Sequence, residues 1–275
     1  MIKLPFFNKS SEKPPKFLTL EINAESVKFL TFYKEDGKVK VIGYGKEYFE
    51  EGMVRNGVIT DPEQVLQQAE KAFLQATSDV EDKITNVIVG VTSDLCLESV
   101  TTAKINRNSS NKPIAEKELE VFQDRITESS HIQIQNNYAQ HTGDSDIDFQ
   151  LITSSVVYNK LDNEKSDFLV GKTGKSVEMA LYNAFCPVHH VQSIRKLTKK
   201  LGLNILAISP ENFALLKALK QSDLESNDLV IMQIGADFTN VAVVFGGAIV
   251  TNQSLHIGKK QFVGEIGRIM GLTHQ

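Results

Sequence analysis

The stretch Gly171-Lys172-Thr173-Gly174-Lys175-Ser176 ends in the Gly-Lys-Ser that closes a phosphate-binding loop, so nucleotide chemistry is the first to test. Such a loop needs an earlier glycine, because only a residue without a side chain lets the backbone wrap the β-phosphate. That position is Leu169. The motif should also open a helix, whereas Val177, Met179 and Leu181 alternate as in a strand. The stretch therefore reads as a Gly/Lys-rich turn between strands. Asp144, Asp146 and Asp148 have the spacing that begins a calcium loop, but Phe149 and Ser155 stand where it needs glycine and a bidentate glutamate. They read as an acidic solvated loop. His189 and His190 are adjacent, so on a helix they point to different sides and cannot chelate one metal. Cys96 and Cys186 match no metal or redox spacing and read as buried thiols of a reducing compartment.

Two plainer turns carry more chemistry. "LTLEINAESVKFL" and "VIMQIGADFTNVAVV" share one form: apolar strand, polar residue, apolar residue, short turn, apolar strand. Backbone N–H groups exposed in such turns can bind phosphate, while the polar residue at the strand end holds a metal or a water. Glu21 and Gln233 are those polar residues, and the same pattern also suits a pair of ordinary hairpins.

Elements must position these turns. Residues 17–48 hold three β-rich runs, with Asp36-Gly37 as the hairpin signal between the second and third. Asp61 caps a helix that Pro62 begins, with Val65, Leu66, Ala69 and Phe73 on one face. "NVIVGV" is a strand covered on both sides. Between 96 and 177 two polar stretches flank a helix over 114–130, and strands follow at 149–161 and 175–185; this predicts a small inserted α+β unit. A helix closed by Gly202, a strand over 204–209 and a second helix capped by Ser209 and begun by Pro210 come next. Residues 227–275 repeat the plan of 17–60, strand, turn, strand, hairpin, strand, helix, so the chain reads as a duplicated fold with a cleft between its halves. A net charge of −4 over 275 residues leaves no nucleic-acid footprint. Residues 1–16 have neither a secretory signal nor a spanning segment and read as a flexible tail of a cytoplasmic protein.

At these motifs the chain resembles the FtsA family of bacterial cell-division proteins and, more distantly, the PilM family of type IV pilus assembly proteins. "LEINAESVKFL" is similar to that family's first phosphate motif, "QIGADFTNVAVVFGGAI" to its second, and "GYGKEYFEEGMVRNGVITDPEQVLQQAEKAF" to the segment after the first. The resemblance implies an α/β, actin-like (ribonuclease H-like) duplicated fold. It divides the chain into a first actin-like part over 17–95 and 178–226, an inserted SHS2-type unit over 96–177, and the start of a second part over 227–275. It implies ATP and Mg²⁺ at Glu21, Asn23, Ala24, Glu25 and Ser26 and at Gln233, Gly235, Ala236, Asp237 and Thr239.

The departures change the expectation. Family aspartates at both strand ends are Glu21 and Gln233 here, the glycines of the first turn are Asn23 and Ala24, and Asp237 and Asn240 replace a glycine and the motif's last aspartate. A carboxylate at 237 repels a phosphate beside it. The sequence also ends before the family's adenine-binding segment and its C-terminal membrane helix, so the second half is expected to be incomplete and to hold no direct membrane anchor. The leading expectation is an FtsA-like scaffold, at most a weak ATPase, that meets a tubulin-like division protein or itself, at the inner membrane face through partners. A variant ATPase whose metal depends on Glu21 and a PilM-like pilus platform are the rivals.

Overall fold

The computed structural model describes residues 14–55, 57–219 and 227–272. The tail expected at the N-terminus lies outside the described residues as far as residue 13, and chain from Lys16 onward is already strand. Strands β1 (Lys16–Ile22), β2 (Ser26–Glu35) and β3 (Lys38–Tyr48) form an antiparallel meander. Asp36 and Gly37 have φ of 48° and 79°, the pair of positive values that the hairpin turn demands. Short strands β4 (Val54–Arg55) and β5 (Val58–Ile59) lead to α1 (Pro62–Thr77), where Asp61 accepts the Gln64 N–H at 3.1 Å. Val65 and Ala69 are buried, with Leu66 and Phe73 packed beside them, as the spacing predicts. The helix lies so close to β3 that a Cβ on Gly43 or Gly45 would stand 2.0 and 1.8 Å from the carbonyl oxygens of Ala76 and Ala72.

Next come β6 (Asn86–Val91), a 3-10 turn over Ser93–Leu95, and β7 (Leu97–Asn106). Helix α2 (Glu116–Thr142) runs twelve residues beyond the expected end at 130, through a stretch read as loop. Ile134 and Tyr138 explain it, since they continue at four-residue spacing the buried face of Phe122, Ile126 and Ser130. Gly143, at φ 74°, then stops the helix. Strands β8 (Phe149–Leu161), β9 (Glu164–Lys165) and β10 (Ser176–Pro187) follow. The second sheet has the order β7-β10-β8-β9, so the strand expected to lead back to the main unit is central in this one. Its register sets Phe185 against Leu97, which brings Cys186 opposite Cys96, both buried and free.

Helix α3 (Val188–Lys200) and β11 (Asn204–Pro210) complete the first sheet, β11-β6-β1-β2-β3, in which β1, β6 and β11 are parallel. Helix α4 (Glu211–Leu219) starts one residue after the expected Pro210, and the Ser209 hydroxyl donates to the Pro210 carbonyl at 3.3 Å. Ser93, from the 3-10 turn, accepts the Asn212 N–H at 3.2 Å instead. The last unit holds β12 (Leu229–Ile234), β13 (Thr239–Phe245), β14 (Ala248–Leu255) and α5 (Lys259–Met270). Its meander and helix repeat the plan of β1, β2, β3 and α1. The inserted sheet, α4 and this third sheet share one core, in which Tyr182 and Leu216 meet Ile231, Val244 and Ile249.

Candidate functional site

The carboxyl ends of parallel strands are where open α/β sheets place their ligand sites. Here β1 ends at Glu21-Ile22, β6 leads into Thr92–Asp94, and β11 leads into Glu211. These, with the turn after β12 and the start of α5, line a cleft of about 310 Å³. The structure brings Glu21, Asn23, Ala24, Glu25, Ser26, Gln233, Gly235, Ala236 and Asp237 to this one cleft. Thr239 is the exception: its hydroxyl donates to the Ile257 carbonyl at 2.6 Å.

The two turns are closed in the same way. The Asn23 N–H donates to the Ser26 carbonyl at 3.0 Å, and the Gly235 N–H to the Phe238 carbonyl at 2.8 Å. Position by position, Asn23-Ala24-Glu25-Ser26 therefore corresponds to Gly235-Ala236-Asp237-Phe238, with alanine second and an acid third in both. In the first turn Asn23 Oδ1 accepts the N–H groups of Glu25 and Ser26 at 3.0 and 2.9 Å. Asn23 Nδ2 donates to Glu21 at 3.1 Å, and Lys28 holds the same carboxylate at 2.6 Å. In the second turn the carbonyls of Gly235 and Ala236 accept the first N–H groups of α5, from Lys259 and Lys260, at 2.9 and 3.1 Å. Gly258 allows this approach, because a Cβ there would stand 2.3 Å from the Ala236 oxygen. The Lys259 ammonium pairs with Glu25, and Lys260 pairs with Asp237 at 2.9 Å.

Sequence reasoning missed Asp94, Glu211 and the α5 lysines. The signal for the first two was the parallel order of β1, β6 and β11, which periodicity cannot supply. Asp94 accepts from the buried Asn240 at 3.4 Å, and Asn240 accepts from Ser254 at 2.6 Å. Burial pushes the Glu211 carboxyl up to about 7, with Glu21 and Asp94 adding to the rise and Lys28 opposing it. The Gln233 Oε1 atom is buried without a hydrogen-bond partner.

A Mg²⁺-triphosphate needs free backbone donors for its phosphates, one or two carboxylates for the metal, and little further negative charge. The amides of Glu25 and Ser26 are turned onto Asn23, and the N-terminus of α5 is turned onto the second turn. Four carboxylates line the cleft, Glu21, Glu25, Asp94 and Asp237, with the raised Glu211 carboxyl beside them, against the three ammonium groups of Lys28, Lys46 and Lys259. Among the described residues no group of three or more His, Cys, Asp or Glu is placed to hold a metal. The residues present do not fit the group that the resemblance implies.

The other motifs lie elsewhere. The Gly171–Ser176 stretch is pinned against the 107–114 loop by Arg107, whose guanidinium donates to the Gly174 carbonyl at 3.0 Å, and strand β10 follows it. Asp144 accepts the Asp146 N–H at 2.9 Å in an exposed turn. His190 is buried and His189 exposed, on different sides of α3.

No family model matches the chain, and no curated protein matches it. Solved structures do. The PilM-PilN type IV pilus biogenesis complex aligns with a TM-score of 0.63 at 16% identity, covering 93% of this chain and 66% of that one. The ethanolamine utilization protein EutJ from Carboxydothermus hydrogenoformans aligns with a TM-score of 0.51 at 9% identity, covering 96% and 60%. The chain thus spans less than two thirds of the length of either. At these identities the likeness establishes the fold alone, an α/β actin-like fold.

Proposed function

We propose that this protein is a non-hydrolytic actin-fold platform that works through protein contacts in the assembly of envelope machinery. The observation that carries the reading is that the amides of the first turn are already bonded to Asn23 and the first N–H groups of α5 to the carbonyls of the second turn. The similarity to the PilM-PilN complex favours a pilus-type setting, with a PilN-like tail as partner, over the division setting. The FtsA-like alternative rests on the sequence motifs, above all "EGMVRNGV". In either setting the inserted unit offers a surface for partners or for self-association, and a partner would bring the protein to the inner membrane face. Among the described residues no helix is long and apolar enough to cross a membrane.

Purified protein is expected neither to bind ATP–Mg²⁺ tightly nor to hydrolyse it, as read by calorimetry and phosphate release. Tight binding with turnover overturns the reading and restores the ATPase alternative. Co-purification with a PilN-like tail supports the pilus setting, and co-purification with a tubulin-like protein supports division.

A further inference from the structure

We infer that Glu25 and Asp237 are built-in anions that determine what the cleft excludes: they line it, and each holds one of the two lysines that begin α5. The inference rests on the non-hydrolytic reading above and names the residues behind it. Glu25 and Asp237 hold the same third position in two turns that are closed by the same hydrogen bond. Each meets one of two consecutive lysines on a single helix, Glu25 with Lys259 and Asp237 with Lys260. Because Lys259 belongs to the last unit and Glu25 to the first, the pair also ties the two sides of the cleft together.

The helix itself shows that these lysines answer to the carboxylates. A helix N-terminus favours anions and disfavours cations, yet α5 begins with Lys259 and Lys260 and has no acid in its first turn. A local rule broken in this way is compensated by something nearby, and here the two carboxylates compensate it. Half-exposed ion pairs add little to stability, so their consequence is occupancy. The carboxylates are 29% and 24% exposed, sheltered enough for their charge to act strongly on an anion placed in the cleft. They repel a polyphosphate and at the same time hold Lys259, which lines the cleft, and Lys260 next to it. The Lys259 and Lys260 N–H groups at the start of α5 are spent on Gly235 and Ala236, so the helix N-terminus adds no attraction to offset the repulsion.

Inorganic tripolyphosphate with Mg²⁺, titrated by calorimetry, tests this without needing an adenine site. The wild type and the charge-keeping E25D/D237E variant are expected to show no binding. The neutral E25Q/D237N variant is expected to bind at least tenfold more tightly, and Lys259→Gln/Lys260→Gln on that background should abolish the gain. Should the double variant fail to fold, Glu25→Gln alone should show the same gain in smaller measure. Neutral variants that bind no better than wild type overturn the inference and leave the platform reading intact. Wild type that binds tripolyphosphate as tightly as E25Q/D237N also overturns it. Wild type that binds and hydrolyses ATP overturns the platform reading instead.

Discussion

Ser93 Oγ accepts the backbone N–H of Asn212 at 3.2 Å, so helix α4 is capped by a residue 119 positions earlier in the chain. The same 3-10 turn carries Asp94 into the cleft, so one cap joins the end of β6, the start of α4 and the site. Ser93→Ala is expected to lower stability by about 1 kcal/mol, the usual cost of a lost cap. Ser209→Ala, at the position where sequence places the cap, should cost a few tenths at most. Urea midpoints of the two variants decide between the caps. Equal losses would contradict the assignment.

Gly45 and Ala72 make a second test, because backbone meets backbone there. A Cβ at Gly45 would stand 1.8 Å from the Ala72 carbonyl oxygen, and neither partner is a flexible side chain. Gly45→Ala should therefore destabilise the protein by about 3 kcal/mol, near the upper end of overpacking costs. Gly143→Ala, at φ 74° with open space around it, should cost about 1 kcal/mol through backbone conformation alone. Thermal melts of the two variants should differ accordingly.

Features whose cause is local were legible in the sequence. Asp36-Gly37 sets a hairpin and Asp61-Pro62 starts a helix within a few residues, and the structure has both. The repeat of meander and helix was legible too, because apolar runs and turns recur in the same order. What could not be read has distant causes. The cap of α4 comes from Ser93, and the last three turns of α2 exist because Ile134 and Tyr138 find partners such as Phe149 and Phe185. Asp94 and Glu211 reach the cleft only because β6 and β11 run parallel to β1. The two turns were picked out by their shared form, but their self-closure depends on Asn23 Oδ1 and on α5, which no spacing reveals.

Stability should depend on pH through three buried groups. Burial pushes Glu98 up to about 7, against the Tyr182 hydroxyl and the Asn252 amide, and Glu211 also rises to about 7. Each carboxyl stays protonated in the fold while the unfolded chain ionises above its ordinary 4.5, so stability is lost as pH rises from about 4.5 to about 7. His190 works in the other direction. Burial, then His189, lowers it from 6.5 to about 4, so its contribution is lost as pH falls through that window. Two carboxyls outweigh one imidazole, and the protein should be more stable at pH 5 than at pH 8. Glu98→Gln should remove part of that slope and raise stability at pH 8 by on the order of 2 kcal/mol. A flat profile in the wild type would contradict these environments.

Arg107 offers the sharpest test of the inserted unit. Its side chain is 2% exposed and forms a fork with Glu118, Nε to Oε1 at 2.7 Å and an Nη to Oε2 at 3.0 Å. Two further donors reach the carbonyls of Gly174 and Lys112, each at 3.0 Å. Glu118 is held below its ordinary range chiefly by this guanidinium. Lysine keeps the charge but cannot present two parallel donors to a carboxylate while bonding two carbonyls. Arg107→Lys should therefore cost about 2 kcal/mol, since the buried Gly174 carbonyl and one oxygen of Glu118 would lose their partners. The loss should be confined: amide exchange should quicken across 171–175, which the guanidinium pins, while β1, β2 and β6 stay protected. Uniform quickening across the first sheet would mean instead that the inserted unit and the main one unfold together.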